Sequence, residues 1–297
     1  MIESTTPRGS VPGLPDPGRC LVMGVVNVTP DSFSDGGAWF DATAAIRHGV
    51  RMAEEGADII DVGGESTRPG AQRVPLEEEL RRVKPVVHAL VAEGLVVSVD
   101  TMRAEVAQFA IDAGARLVND VSGGLSDPAM PRLVARARVP YVLMHWRGHS
   151  HDMQSRAVYG DVVGEVRDEL AQRMAAAVDE GLDPELIVLD PGLGFAKRPD
   201  VPEHNWTLLA HLAELRSLGR PLLIGGSRKR FLGRLLADAA GEPRPFAESD
   251  DATVAVTALA AAAGAWCVRV HEVRPNADAV RVAEAWRAGI EGRGGAR

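Results

Sequence analysis

Asp100, Asn119 and Asp190 stand at the ends of three separate apolar runs, and each offers hydrogen-bonding groups of a kind that can read a flat heterocycle. A carboxylate accepting two adjacent N–H donors matches an amidine-like ring edge, such as the 2-amino-4-oxopyrimidine edge of a pterin or guanine. Paired carboxylates also work as general acid and base, as in glycoside hydrolysis. The accompanying Asn119 and Lys229 fit ring recognition better. Lys229 belongs to the run Gly225-Gly226-Ser227-Arg228-Lys229-Arg230-Phe231, in which small residues and a hydroxyl precede three cations at an expected helix start. Cations there oppose the helix macrodipole, so their placement points to a bound anion or ligand. Arg269 and His271 alternate along the last apolar run, share one side of it, and suit a diphosphate.

Two further segments are glycine-bearing and polar. The first, residues 27–37, reads NVTPDSFSDGG and contains Phe33 and Asp35. It exceeds the roughly 2–6 residues of an ordinary strand-to-helix connection, as expected of a loop that orders over a ligand. Asn27 offers a neutral oxygen to a hard cation such as Mg2+. The second, residues 63–71, holds Thr67, Arg68 and Pro69 between glycines, and the Arg68 fork suits phosphate or carboxylate. The run DPGLGFAK at 190–197 is a glycine-rich turn whose Phe195 could cover a flat ring. Taken alone, such a turn more often joins a strand to a helix without a ligand.

These segments need a scaffold that brings their ends together. Strands are expected at Leu21–Val26, Ile59–Val62, Val96–Val99, Leu117–Val118, Tyr141–Met144, Ile187–Leu189, Leu222–Ile224 and Val268–Val270. Helical stretches are expected at 42–55, 76–93, 104–113, 161–180, 206–218 and 251–263. Regular alternation over this length predicts the α/β class and a single (β/α)8 TIM barrel, whose site lies at the C-terminal ends of the strands. The polar residue that ends each apolar run then falls on one rim. Residues 1–18 and 289–297 are short of core residues and read as flexible tails around a barrel domain at 19–288.

The 297 residues are 45% hydrophobic and carry a formal net charge of -8. That balance argues against general nucleic-acid or anionic-membrane binding, and no apolar run is long enough for a membrane span. A cytoplasmic protein with two reduced, structural thiols, Cys20 and Cys267, is expected.

Read together, NVTPDSFSDGG at 27–37, DVGGESTRPG at 61–70, SVDT at 98–101, NDVSGG at 119–124, DPGLGFAK at 190–197, SRKRF at 227–231 and RVH at 269–271 resemble the dihydropteroate synthases. Met144-His145 and the later Met153-Gln154 resemble that family's fifth loop. The resemblance implies a Mg2+-assisted, SN1-like condensation of 7,8-dihydropterin-CH2-diphosphate with 4-aminobenzoate, giving 7,8-dihydropteroate and diphosphate, in a homodimer that is a sulfonamide target. By position, Asp100, Asn119, Met144, Asp190, Phe195, Gly225 and Lys229 would hold the pterin. Asn27, Thr67, Arg68, Arg269 and His271 would hold diphosphate, with Asn27 on the metal. Phe33, Thr67, Pro69, Ser227 and Arg228 would shape the aminobenzoate site, and Asp35, Arg68 and Lys229 would act in catalysis. The alanine-rich stretch at 252–263 suggests the dimer contact.

Gly226 departs from the pattern, since similar sequences carry Ala, Val or Thr there, and residues 198–203 read as a small insertion away from the chemistry. Competing readings are a pterin-binding methyltransferase, a non-catalytic pterin binder, and a metal-dependent hydrolase suggested by His145, His149 and His151. Neither the methyltransferase nor a binder alone accounts for both intact loops.

Overall fold

The computed structural model describes residues 9–29, 42–66, 73–149, 153, 155–198, 201 and 203–294. Its strands are β1 (Leu21–Asn27), β2 (Ile59–Gly63), β3 (Val97–Asp100), β4 (Leu117–Asp120), β5 (Tyr141–Met144), β6 (Ile187–Asp190), β7 (Leu223–Ile224) and β8 (Cys267–Val270). All pairings are parallel, and the eight strands follow the order β6-β5-β4-β3-β2-β1-β8-β7. A parallel bridge between Leu189 and Leu222 joins β6 to β7 and closes the barrel. Around it run α1 (Ala42–Glu54), α2 (Leu76–Ala92), α3 (Ala104–Asp112), α4 (Met130–Ala137), α5 (Val162–Asp179), α6 (Glu203–Ala210), α7 (Leu212–Arg216), α8 (Arg230–Leu235), α9 (Asp250–Ala262) and α10 (Val273–Gly294).

Strand periodicity sorts the side chains into two cores. Leu21, Met23, Ile59, Leu117, Val142, Val188, Leu223 and Cys267 pack together inside the barrel at its N-terminal end. The alternate residues, such as Val22, Ile60, Val99, Val118, Leu143, Leu189 and Val268, join the shell of helices. Continuing the inward parity toward the C-terminal end gives Asn27, Asp61, Ser98, Asp100, Asn119, Met144, Asp190 and Arg269. The same face is therefore apolar at the floor and polar at the mouth.

Several expectations shift. Val11 is buried and packs with Leu14 against the floor cluster, so the segment from residue 9 onward covers the barrel's end. The apolar floor would otherwise face water. At the other terminus α10 continues to Gly294, past the expected boundary at 288. The helix expected at 206–218 is two helices broken at His211, whose ring bonds the Thr207 carbonyl oxygen at 2.7 Å. The α5 helix starts where the sequence suggests because the Asp161 carboxylate accepts from Val163 N and Gly164 N. Among the described residues no helix is long and apolar enough to cross a membrane. Cys20 and Cys267 are both buried thiols outside any disulfide.

Candidate active site

The deepest polar layer of the mouth is built by three neighbouring strands and β8. Asp61 of β2 stands in register with Ser98 of β3, and Asp100 with Asn119 of β4. Asp61 Oδ2 accepts from Asn119 Nδ2 at 2.9 Å and from Arg269 Nε at 2.6 Å. Arg269 Nη2 donates to Asp100 Oδ2 at 2.6 Å. One guanidinium thus spans two carboxylates. Asp61 Oδ1, Ser98 Oγ and Asp100 Oδ1 are buried and have no hydrogen-bond partner among the described residues. Unpaired acceptors cost free energy away from water, so this layer is set up for an incoming donor edge. Burial raises the Asp100 carboxyl above the ordinary carboxylate range, opposed by Arg269. Burial also raises Asp190, where Gly192 N–H, Lys229 and Lys197 oppose it.

The side wall comes from the ends of β5, β6 and β7. Asp190 Oδ1 accepts from Gly192 N at 2.7 Å, which turns its second oxygen away from the loop. A Cβ on Gly225 would stand 3.8 Å from that oxygen, Oδ2, so glycine keeps the approach clear. Met144 packs with Met102 and Val121, and Trp146 and Phe195 lie against them. Lys229 Nζ lies 4.2 Å from the centroid of the Phe195 ring. A planar ring edge-on to Asp100, Asn119 and Asp190 would find apolar cover from Met144 and Phe195 and a cation nearby.

At the rim, Ser227 Oγ and His271 Nδ1 are 2.9 Å apart, and Asn27 is half-buried at the end of β1. The structure does not pair Arg269 with His271. Arg269 reaches down onto Asp61 and Asp100, leaving Nη1 without a partner among the described residues, while His271 turns to Ser227. Arg228 has φ 54 and an ion pair to both Asp250 and Glu272, which hold its guanidinium against α9 and the start of α10. A left-handed non-glycine residue at this turn is strain of the kind that gathers at functional sites. A Cβ at Gly226 would come within 3.2 Å of Val256 Cγ1, so the missing side chain is matched by close packing of α9.

Phe33, Asp35, Thr67, Arg68 and Pro69 lie outside the described residues, as does His151. The flanks of the second loop are braced. Glu65 accepts from Arg73 Nε and Val74 N, each at 3.1 Å, and from Arg103 Nη1 at 3.0 Å. Arg103 also pairs with Glu79 and donates to the Val74 carbonyl oxygen at 2.6 Å. Both ring nitrogens of His145 face protein groups, Lys197 and Glu169, which leaves that residue poorly placed as a zinc ligand.

The residue reading missed Asp61, which carries the Arg269 and Asn119 contacts. Its signal was available: a lone charge inside an apolar strand, two positions before Gly63. It also missed Asn205, whose Oδ1 takes Gly194 N at 2.8 Å and so supports the turn at 190–197 from just beyond the insertion.

Fold and site together define a (β/α)8 barrel whose mouth presents buried acceptors and apolar cover matched in chemistry to a flat, donor-edged ring. The pterin binding enzyme family model matches residues 23–271. A dihydropteroate synthase of Mycobacterium leprae is 55% identical over 266 residues, 89% of this chain and 93% of that protein. Among solved structures, a Xanthomonas albilineans dihydropteroate synthase with 4-aminobenzoic acid matches at TM-score 0.82 and 49% identity, covering 91% of this chain and 94% of that one. The same organism's enzyme in complex with 7,8-dihydropteroate matches at TM-score 0.79 and 46% identity, over 91% and 94% of the two chains. The chain belongs to the pterin binding enzymes and, within them, to the dihydropteroate synthases.

Proposed function

We propose that the chain condenses 7,8-dihydropterin-CH2-diphosphate with 4-aminobenzoate to 7,8-dihydropteroate. The observation that carries this is the layer of inward carboxylates at the mouth, where Asp61 Oδ1 and Asp100 Oδ1 are buried without a partner among the described residues, with Asn119 and Asp190 at neighbouring strand ends and Lys229 over the Phe195 ring. The pterin's amino and ring N–H groups supply the missing donors, and Lys229 offers a cation to the ring's oxygen side.

In the reaction the bond from the methylene carbon to diphosphate oxygen breaks, and both electrons leave with the diphosphate. Conjugation into the pterin stabilises the methylene cation. The arylamine nitrogen then forms the new C–N bond and gives up a proton. No covalent nucleophile is needed from the protein. What the chain contributes is placement, compensation of developing positive charge by the buried carboxylates, and exclusion of water. Asn27, His271 and Arg269 Nη1 are the described groups that would receive the diphosphate, joined by Thr67 and Arg68. Ser227 would face the aminobenzoate, with Phe33, Pro69 and Arg228, and Asp35 would lie near the cation.

Mg2+ fits this rim in a limited way. Among the described residues no group of three or more His, Cys, Asp or Glu is placed to hold a metal. A cation would therefore be held by Asn27 together with the substrate's own diphosphate oxygens, as Mg2+ often is. It would neutralise leaving-group charge.

We further place the enzyme in the cytoplasm as a homodimer. Val282, Trp286 and Ile290 are 64%, 67% and 54% exposed at four-residue spacing along α10, and Leu259 of α9 is 71% exposed. An exposed apolar stripe of this kind supports self-association. Mass spectrometry of the product tests the function: incubation with both substrates and Mg2+ should yield 7,8-dihydropteroate, and Asp190→Asn should abolish most of it. Absence of the adduct with the intact chain would refute the reading.

A further inference from the structure

Lys197 ends the motif at 190–197, yet its side chain faces neither the mouth nor solvent. It is 1% exposed. Its Nζ lies 2.7 Å from the Pro191 carbonyl oxygen and 3.0 Å from His145 Nδ1. The other ring nitrogen, His145 Nε2, is 2.9 Å from Glu169 Oε2 on α5, and Glu169 is in turn gripped by Arg147. An ionised carboxylate can only accept, so His145 Nε2–H donates to Glu169 and Nδ1 of the neutral ring accepts from Lys197. The chain of contacts has one direction and one histidine tautomer.

The backbone that Lys197 grips is unusual. Gly192, Gly194 and Ala196 have φ of 68, 78 and 45, so three of the residues between Asp190 and Lys197 are left-handed. Such a turn keeps its shape only when surrounding contacts over-determine it. Those contacts are the His145 N–H to the Asp190 carbonyl oxygen at 2.8 Å, Gly194 N to Asn205 at 2.8 Å, Tyr159 Oη to the Ala196 carbonyl oxygen at 2.8 Å, and Lys197 to Pro191. Of these, only Lys197 brings a buried titratable side chain. Burial lowers its pKa to about 7 and that of His145 to about 4. Holding an amine there is costly compared with an apolar filler, and a costly group beside a binding site points to a role in that site.

We propose that Lys197 is a positioning residue for pterin binding: by fixing the Pro191 carbonyl it sets the placement of the Asp190 carboxylate and the Phe195 ring. Through His145 and Glu169 it also ties this turn to the end of β5, which carries Met144. The inference rests on the reading of the mouth as a pterin site.

The test is steady-state kinetics of Lys197→Met, which keeps most of the stem and removes the charge and donors. Loss of a charge-assisted contact should raise KM for the pterin diphosphate by about tenfold or more, with kcat and KM for 4-aminobenzoate within about threefold of the unaltered enzyme. Glu169→Gln, at the partly exposed end of the chain of contacts, should raise the same constant by a smaller factor and decides the matter if Lys197→Met does not fold. A pterin KM within about twofold of the unaltered enzyme overturns the proposal, as does an effect confined to kcat or to the melting temperature. Turnover by the unaltered chain is measured alongside. If that is absent, the reading of the mouth falls and this proposal with it; if it is present and the variants match it, only the positioning role falls.

Discussion

Asp61 Oδ2 takes hydrogen bonds from Asn119 and Arg269 while Oδ1 has no partner among the described residues, and that asymmetry describes how single side chains work in this site. Asp100 divides its oxygens in the same way, with Oδ2 on Arg269 and Oδ1 without a partner among the described residues. Lys229 lines the turn after β6, with its stem 3.1 Å from where a Cβ of Gly194 would stand and its ammonium over Phe195. Lys229→Met should therefore fold and lose about 1.5–3 kcal/mol of pterin affinity, roughly 10- to 150-fold, in calorimetric titration. Unchanged affinity would remove Lys229 from the pterin site. His145 leads to a prediction about acid. Its folded pKa is depressed to about 4 from 6.5, so below the unfolded value the unfolded chain binds a proton that the folded chain refuses. Its stabilising effect is complete above 6.5 and is lost as pH falls from there toward 4, by up to roughly 3 kcal/mol. Urea denaturation across that window should show the decline, and His145→Gln should flatten it; equal slopes would count against it. Much of this was legible in the residues. Asp100, Asn119 and Asp190 announced themselves by standing at strand ends. Lys197 did not, because a lysine closing a polar loop reads as solvated, and only tertiary packing reveals its burial. Nor did sequence spacing reveal that Arg269 would reach down to Asp61, since that contact spans 208 positions.

At the scale of elements, strand parity does most of the positioning. The same period of two that places Leu21, Leu117 and Val188 in the floor brings Asn27, Asn119 and Asp190 to the mouth. That is why the eight strands could be read from apolar runs and their polar ends. What could not be read was how loops close against one another. Val11 lies in a stretch poor in core residues, and its burial follows from the open floor of the barrel rather than from its own surroundings. The break at His211 likewise follows from a ring competing for a helical carbonyl. The turn after β6 leaves little room for substitution. At Gly192, φ is 68 and a Cβ would meet the His145 carbonyl oxygen at 2.5 Å, a contact with backbone that no rotamer relieves. Gly192→Ala should cost at least about 2 kcal/mol in chemical denaturation. Stability equal to that of the parent chain would mean the turn is more pliant than its contacts imply.

For the molecule as a whole, a net charge of -8 surrounds a site built for an anion, so recruitment depends on local cations rather than on the overall field. The apolar stripe of α10 points to assembly. Trp286→Glu should convert a dimer to a monomer in sedimentation equilibrium while leaving pterin binding within about twofold, because the stripe lies on the outer helices and not at the mouth. A parent chain that is already monomeric at micromolar concentration would contradict the dimer. The chemistry of this barrel is formation of a carbon–nitrogen bond at the expense of a diphosphate. Its most direct measurement is diphosphate release from 7,8-dihydropterin-CH2-diphosphate and Mg2+, with and without 4-aminobenzoate, alongside quantitation of dihydropteroate. Release should rise strongly when 4-aminobenzoate is added, with one dihydropteroate formed for each diphosphate. Release at the same rate without the arylamine and without adduct, or no release in either case, would contradict it.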